Sequence, residues 1–99
     1  MIRVILPVNL RILAHIQHEE IQLDVPEPVT QRNILTAIEE EFPALIGTIR
    51  DYSRQERRPF LRFFVCGEDW SHESPDQLLP ADIRSGKEPF LIIGAIAGG

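Results

Sequence analysis

The 99-residue sequence has room for one small domain with a single hydrophobic core and none for a second, catalytic domain. Its composition, 43 % hydrophobic and 25 % charged, is typical of a globular protein, and the net charge of −5 argues against nucleic acid as the main partner, because phosphate binding requires a basic surface. The single cysteine, Cys66, excludes an internal disulfide and a zinc site built from cysteines alone.

The first quarter of the chain predicts a β-hairpin. The β-branched run Ile2–Leu6 stops at Pro7, as a first strand would. Apolar and polar residues alternate over Ile21–Val25, which predicts a half-buried second strand antiparallel to the first. The segment between them, Leu10–His15, fits a helical turn and a loop equally well.

One main helix is predicted next. Thr30 can cap its N-terminus, and Val29 and Ile34 have the spacing of a hydrophobic staple. The helix should end just before Pro43, because proline disfavours helical geometry in the residue that precedes it. Residues Glu39–Glu41 should face solvent. The apolar stripe at helical spacing consists of Ile34, Leu35, Ile38 and Phe42.

A polar loop and an alternating strand follow the helix. Residues 51–59 form the loop, and we expect its arginines Arg54, Arg57 and Arg58 to be solvated. Alternation over Phe60–Cys66 predicts a strand that turns Arg62 outward, since burying an unpaired charge is costly. Leu61, Phe63 and Val65 should therefore face the core, and Phe60, Arg62 and Phe64 should face away from it.

The last third of the chain predicts a tight turn at residues 67–69, a polar connection over residues 74–86 and an apolar strand over Pro89–Ile96. The resulting order, β-β-α-β-β, predicts an α+β fold in which one main helix packs on a mixed sheet. We expect residues 1–99 to form a single domain.

Four short motifs occur in order along the chain: Arg58-Pro59-Phe60, residues 64–69 (FVCGED), Ser85-Gly86 and the ending at residues 94–99 (GAIAGG). In these motifs and their spacing the sequence resembles the MoaD/ThiS family of sulfur carrier proteins over nearly its whole length. The resemblance implies a β-grasp (ubiquitin-like) fold with a flexible C-terminal tail at about residues 95–99. Two positions depart from the family pattern: Cys66 stands where many relatives carry asparagine, and Gly94 where many carry proline.

The same resemblance implies a function for the terminal carboxylate of Gly99. A separate adenylating enzyme of the ubiquitin-activating type would activate it with ATP and Mg²⁺, and a sulfur donor enzyme would convert it to a thiocarboxylate. A downstream biosynthetic enzyme, for molybdopterin, thiamine thiazole, cysteine or a related metabolite, would accept the sulfur. The chain would be a carrier and co-substrate, not an enzyme, and would bind no cofactor or metal itself.

The predicted partner-binding residues lie on the outward face of two strands and in the tail. The resemblance implies that Leu91 and Ile93 also point outward from the last strand. Together with Phe60 and Phe64 they would form an exposed apolar patch around Arg62, which is typical of a docking surface, although some of the four could instead belong to the core. The tail residues that the resemblance adds are Ile96, Ala97 and Gly98.

Three alternative functions stay open. A ubiquitin-like modifier would join Gly99 to a target lysine, and Lys87 is the only lysine of this chain itself. A small subunit of molybdopterin synthase would use the same carboxylate. A plain interaction domain would have an inert tail.

Several residues have a structural and a functional interpretation. Cys66 is expected to be a small hydrophobic residue at a strand end, with a persulfide acceptor as the alternative. Trp70 is expected to cover one edge of the core, with an interface anchor as the alternative. The three histidines lack the spacing of metal ligands. No apolar run approaches the roughly 20 residues of a membrane span, so we expect a soluble, cytoplasmic protein.

Overall fold

The computed structural model describes residues 1–94. They form five strands, three helices and one 3₁₀ turn: β1 Ile2–Ile5, α1 Val8–Leu13, β2 Glu20–Leu23, α2 Gln31–Glu41, the 3₁₀ turn Pro43–Leu45, β3 Leu61–Val65, β4 Glu68–Asp69, α3 Ala81–Arg84 and β5 Phe90–Gly94. The end of the predicted last strand, beyond Gly94, and the predicted tail at residues 95–99 lie outside the described residues.

The strands make one mixed sheet in the order β2-β1-β5-β3-β4. The predicted hairpin is confirmed, because β1 and β2 are antiparallel with Ile2 opposite Leu23. Strand β5 lies in the middle of the sheet, parallel to β1 and antiparallel to β3. The predicted α+β class with a mixed sheet is confirmed.

Helix α2 forms where its caps predict it. The Thr30 hydroxyl accepts a hydrogen bond from the Asn33 main-chain N–H at 3.2 Å, which satisfies one of the orphan donors of the first turn. The helix ends at Glu41, and Phe42 is its C-cap, directly before Pro43. The core lies between this helix and one face of the sheet, and Ile34 and Ile38 of the helix are fully buried in it.

The predicted turn at residues 67–69 is displaced. The two-residue turn is Cys66-Gly67, with φ of +51° and +82°, which is the left-handed pair that a tight hairpin requires. It places Glu68 opposite Val65 and Asp69 opposite Phe64, so these residues form β4 instead of the turn.

The connection over residues 74–86 is also more structured than predicted. It contains α3, and Leu79 and Ile83 are buried in the core. Leu79 is fixed by a hydrogen bond from its N–H to the Val29 carbonyl at 3.0 Å.

Two groups of charged residues are less solvated than predicted. Arg57 is half-buried, and its guanidinium donates to the main-chain carbonyls of Leu61, at 2.6 Å, and Ser71, at 3.2 Å. Glu39 is mostly buried because it pairs with Arg50. Arg57 therefore fixes the main chain at Leu61 and Ser71, and the Glu39 pair joins α2 to Arg50. Arg54, Glu40 and Glu41 are exposed, as expected.

Candidate partner-binding surface

The outward face of β3 and β5 carries the side chains that the sequence assigns to it. The alternate residues Phe63 and Ile92 are buried in the core, whereas Phe60 is 54 % exposed and Ile93 is 42 % exposed. Arg62, Phe64 and Leu91 are half-buried on the same outer face. The predicted orientation of all five outward residues is confirmed, and their role in binding a partner stays a prediction.

The strand register places these residues next to one another. In the antiparallel β3–β5 ladder Phe64 lies opposite Leu91, and Arg62 lies opposite Ile93. On the other side of β5, Ile5 of β1 lies opposite Leu91. We name Ile5, Phe60, Phe64, Leu91 and Ile93 the apolar stripe.

Sequence reasoning missed Ile5. The alternation of β1, with Val4 and Leu6 inward, turns Ile5 outward. Its place beside Leu91, however, depends on the parallel pairing of β1 with β5, which joins segments more than 80 residues apart and leaves no local signal.

Ion pairs border the stripe on both sides. On one side the Arg62 guanidinium lies 3.5 Å from the Asp69 carboxylate, and on the other the Arg3 guanidinium lies 2.8 Å from the Glu20 carboxylate. Hydrogen bonds from Ser71 lower the pKa of Asp69, and the hydrogen bond from Arg3 lowers the pKa of Glu20, so both carboxylates are ionised at neutral pH. An apolar centre with a charged rim is the usual anatomy of a protein–protein interface.

An acidic depression adjoins the stripe at Leu91. It has a volume of about 300 Å³ and is lined by Cys66, Gly67, Asp82, Glu88, Pro89 and Leu91. Desolvation, followed by the carboxylates of Asp82, Glu88 and Glu68, raises the pKa of the Cys66 thiol. Cys66 directly follows the end of β3, as expected, but its thiol is exposed at the hairpin turn instead of packing as a small hydrophobic side chain. Its raised pKa disfavours the thiolate that persulfide chemistry needs.

Gly94, the last described residue, lies at the opposite end of the stripe. Gly94 pairs with Leu61 at the start of β3, next to exposed Phe60. Because β1 and β5 are parallel, α1, which follows β1, lies at the same end of the sheet, and it exposes Val8 and Ile12. Exposed apolar side chains of α1 and of Phe60 therefore lie at the end of the sheet where β5 ends. The predicted site residues Ile96, Ala97, Gly98 and Gly99 lie outside the described residues.

Other candidate residues have structural surroundings. Trp70 packs against the edge of the core, as predicted, and its carbonyl accepts a hydrogen bond from the buried Gln31 side chain at 2.9 Å. His72 contacts the Arg62 guanidinium at 3.4 Å. Residues 1–94 contain no group of three or more side chains placed to hold a metal ion. Within the same span, no helix has the length and apolar character needed to cross a membrane.

No model of a protein family matches the sequence, and no curated protein matches it. Solved structures do match the fold. One match is the crystal structure of SAMP1 from Haloferax volcanii, with a TM-score of 0.72. Its sequence is 18 % identical to this one, and the alignment covers 98 % of this chain and 97 % of that chain. The crystal structure of the Amycolatopsis orientalis BexX/CysO complex contains a chain that is 17 % identical, with 100 % of both chains covered and a TM-score of 0.74. The protein therefore has the ubiquitin-like β-grasp fold that its sequence predicts.

Proposed function

We propose that this protein is a sulfur carrier whose Gly99 carboxylate is adenylated by a partner enzyme and converted to a thiocarboxylate. One observation carries the proposal: the sequence continues from the central strand β5 into Ala95-Ile96-Ala97-Gly98-Gly99, in a chain that shares its whole fold with SAMP1 and CysO. SAMP1 is a ubiquitin-like small archaeal modifier and CysO is a sulfur carrier, and such proteins are small carriers rather than enzymes.

The chemistry requires an activated carboxylate. An ionised carboxylate is a poor electrophile, so a carboxylate oxygen of Gly99 first attacks the α-phosphorus of ATP, and the bond to pyrophosphate breaks. A sulfur nucleophile then attacks the carbonyl carbon of this acyl-adenylate, and the bond to AMP breaks. The net change on the carrier is one oxygen replaced by sulfur. In this proposal the partner binds ATP and Mg²⁺, and a sulfur donor enzyme supplies the sulfur.

The tail is long enough for the carrier to present its carboxylate to a nucleotide that the partner binds. A fully extended segment of five residues reaches at most about 17 Å, which is enough to carry Gly99 from the sheet into a narrow channel. Glycine has no Cβ, so Gly98 and Gly99 bring main chain alone to the nucleotide. The folded body stays outside the channel and must be recognised separately.

The apolar stripe is the surface that we propose for this recognition. Phe64 lies in the stripe between Leu91 and the rim residue Asp69, and a half-buried aromatic side chain of this kind is typical of a binding hot spot. Arg62 and Asp69 add opposite charges at the rim, which would fix the orientation of the partner. The stripe extends to the point where the tail begins, so one partner can contact both.

The likeness to SAMP1 favours a second candidate, a ubiquitin-like modifier. Its adenylate would be attacked by a lysine amine of a target protein and would yield an amide. A small subunit of molybdopterin synthase, the third candidate, would form the thiocarboxylate but remain bound to a large subunit.

The products formed in the presence of the adenylating enzyme distinguish the three candidate functions. The protein is incubated with its cognate adenylating enzyme, MgATP and a sulfide source, and its intact mass is measured. A sulfur carrier gains one sulfur in place of one oxygen, and the same species is present in protein purified from the native host. Stable co-purification with a large subunit would identify the synthase subunit instead. Conjugates to lysine, together with no sulfur gain under any of these conditions, would identify a modifier and contradict the carrier function.

A further inference from the structure

The outer edge of β2 is a free sheet edge. Strand β2 ends the sheet and pairs on one side with β1. In an antiparallel ladder alternate residues turn their N–H and C=O groups toward the partner, so half of the residues in Glu20–Leu23 turn theirs outward. Across residues 1–94, no main-chain hydrogen bond from another segment covers this edge. These outward groups are a template for one more strand.

A groove runs beside the free edge. It has a volume of about 400 Å³ and lies between β2 and the C-terminal half of α2. Leu23 and Ala37 give it an apolar floor, and the side chains along its walls include Gln22, Asp24, Glu40 and Glu41. A strand added to β2 would project every second side chain toward this floor.

The charged side chains of the groove indicate which kind of segment binds there. Asp24, Glu40 and Glu41 are exposed, and the remaining lining residues, which include Met1, contribute no lysine or arginine, so the side chains of the groove carry only negative charge. The neighbouring carboxylates are already paired: Glu39 with Arg50, and Glu20 with Arg3. Among the ion pairs of the described residues, none includes the three carboxylates of the groove. A second copy of β2 would bring like charges together, whereas a basic segment would find opposite ones.

We propose that the free edge of β2 binds an extended, basic peptide segment of a partner protein as an added strand. The main chain of the segment pairs with β2, an apolar side chain contacts Leu23 and Ala37, and lysine or arginine side chains pair with Asp24, Glu40 and Glu41. The site is separate from the apolar stripe, which lies on the outer face of the sheet. It does not depend on the chemistry of Gly99.

A designed peptide tests this proposal. The probe is a blocked hexapeptide of alternating lysine and valine, added to the ¹⁵N-labelled full chain. We expect amide shift changes centred on Gln22, Leu23 and Ala37, and slower hydrogen exchange in β2 when the peptide is bound. The double variant Glu40→Lys/Glu41→Lys should bind at least about tenfold more weakly. The matched control, Glu56→Lys/Glu73→Lys, makes the same charge change at two exposed positions outside the groove and should bind normally.

Two further peptides separate strand addition from simple charge attraction. A peptide with N-methyl groups on alternate residues keeps every charge but loses main-chain donors, and we expect it to bind much more weakly. A peptide with glutamate in place of lysine should not bind. The proposal is overturned if the N-methylated peptide binds as well as the parent, if the shifts centre on Phe64 and Leu91, if the two double variants weaken binding equally, or if no shifts occur at saturating peptide.

Discussion

The guanidinium of Arg50 lies 2.8 Å from the carboxylate of Glu39, and the Arg50 side chain is only 4 % exposed. A further hydrogen bond of 3.1 Å joins the same guanidinium to the Thr36 hydroxyl. Arg50 also forms a β-bridge with Arg57, at the base of the loop over residues 51–59. One buried ion pair thus fastens the long loop to α2.

Replacing Arg50 should therefore lower the free energy of unfolding much more than replacing an exposed arginine. Arg50→Ala leaves the mostly buried Glu39 carboxylate without its partner, and we expect a loss of about 3–5 kcal/mol in the free energy of unfolding. Arg32→Ala, which breaks the exposed pair with Asp76, should cost less than about 1 kcal/mol. Urea denaturation of both variants measures the difference. Equal losses would show that the Arg50 pair contributes no more than a surface contact.

Alanine substitution should reduce mainly the stability of the protein at Phe63 and mainly its binding to a partner at Phe64. Phe63 is 1 % exposed and packs against Phe90 with ring centroids 5.3 Å apart, so Phe63→Ala should cost about 3–5 kcal/mol of stability. Phe64→Ala should cost less stability but weaken binding to the adenylating enzyme by at least about tenfold, or ~1.4 kcal/mol. Thermal denaturation and titration calorimetry measure the two effects. Unchanged affinity of a folded Phe64→Ala protein would remove the apolar stripe from the interface.

Ser71 should control the titration of Asp69. The Phe63 N–H donates to the Ser71 hydroxyl at 2.9 Å, and the Ser71 N–H donates to the Asp69 carboxylate at 2.9 Å. Hydrogen bonds from Ser71 keep the pKa of Asp69 below its ordinary value of about 3.9. Because the folded pKa is the lower one, this contribution to stability is present above about pH 4 and is lost as the pH falls through the folded pKa.

Ser71→Ala keeps the main-chain N–H that donates to Asp69 but removes the side-chain hydrogen bond, so the Asp69 pKa should rise part of the way toward the ordinary value. The buried Phe63 N–H should also lose its acceptor, at a cost of about 1–3 kcal/mol. An NMR titration of the side-chain carboxyls measures the pKa. Asp76 provides the control, because Arg32 and not Ser71 lowers its pKa. If the Asp69 pKa stayed the same in the variant, the chain of hydrogen bonds through Ser71 would not determine it.

Asparagine should stabilise the turn at Cys66. Cys66 has a φ of +51°, a left-handed conformation that costs most side chains energy and that asparagine tolerates. We expect Cys66→Asn to raise the free energy of unfolding by about 0.5–1 kcal/mol. Cys66→Ala also removes the thiol but keeps the unfavourable conformation, so it should bring no such gain. Equal stability of the two variants in chemical denaturation would contradict this explanation.

Three changes at Gly99 test the carrier function. Deleting Gly99, adding one residue after it, or making Gly99→Ala should leave the stability of the domain unchanged, because every buried core residue within residues 1–94 precedes Gly94. Each change should abolish thiocarboxylate formation. Deletion or addition of a residue moves the carboxylate by over about 3 Å relative to a reacting distance of roughly 3–3.5 Å. Alanine instead brings a methyl group against the channel wall and restricts the backbone angles. Intact mass after reaction with the adenylating enzyme is the measurement. Sulfur gain at the new terminus of the deleted protein would contradict the proposal.

Capping residues and the alternation of apolar and polar residues predicted the ends of the main helix and the buried faces of the strands. Thr30 and Pro43 determined both ends of α2, and strict alternation determined which face of β3 is buried. The outward orientation of Phe64 and Arg62 followed from the same alternation, so most of the candidate surface was predictable.

Features that depend on distant contacts were not predictable in this way. The pairing of Glu39 with Arg50 follows from how the chain turns after α2, and Glu39 looks like its exposed neighbours in sequence. Helix α3 is a single turn with one fully buried side chain, Ile83, which is too little for a helical period to appear. Strand β4 consists of two acidic residues, and its pairing depends on the turn at Cys66 instead of on its own propensity.

The central position of β5 also has a mechanical consequence. Strand β5 is held by β1 on one side and by β3 on the other. A force applied through the chain beyond Gly94 runs along the strand and loads the hydrogen bonds of both ladders together, in shear, instead of opening them one after another. A partner that draws the C-terminal segment into a channel would therefore pull on a strand that is paired on both sides, which resists unfolding better than a strand at the edge of the sheet.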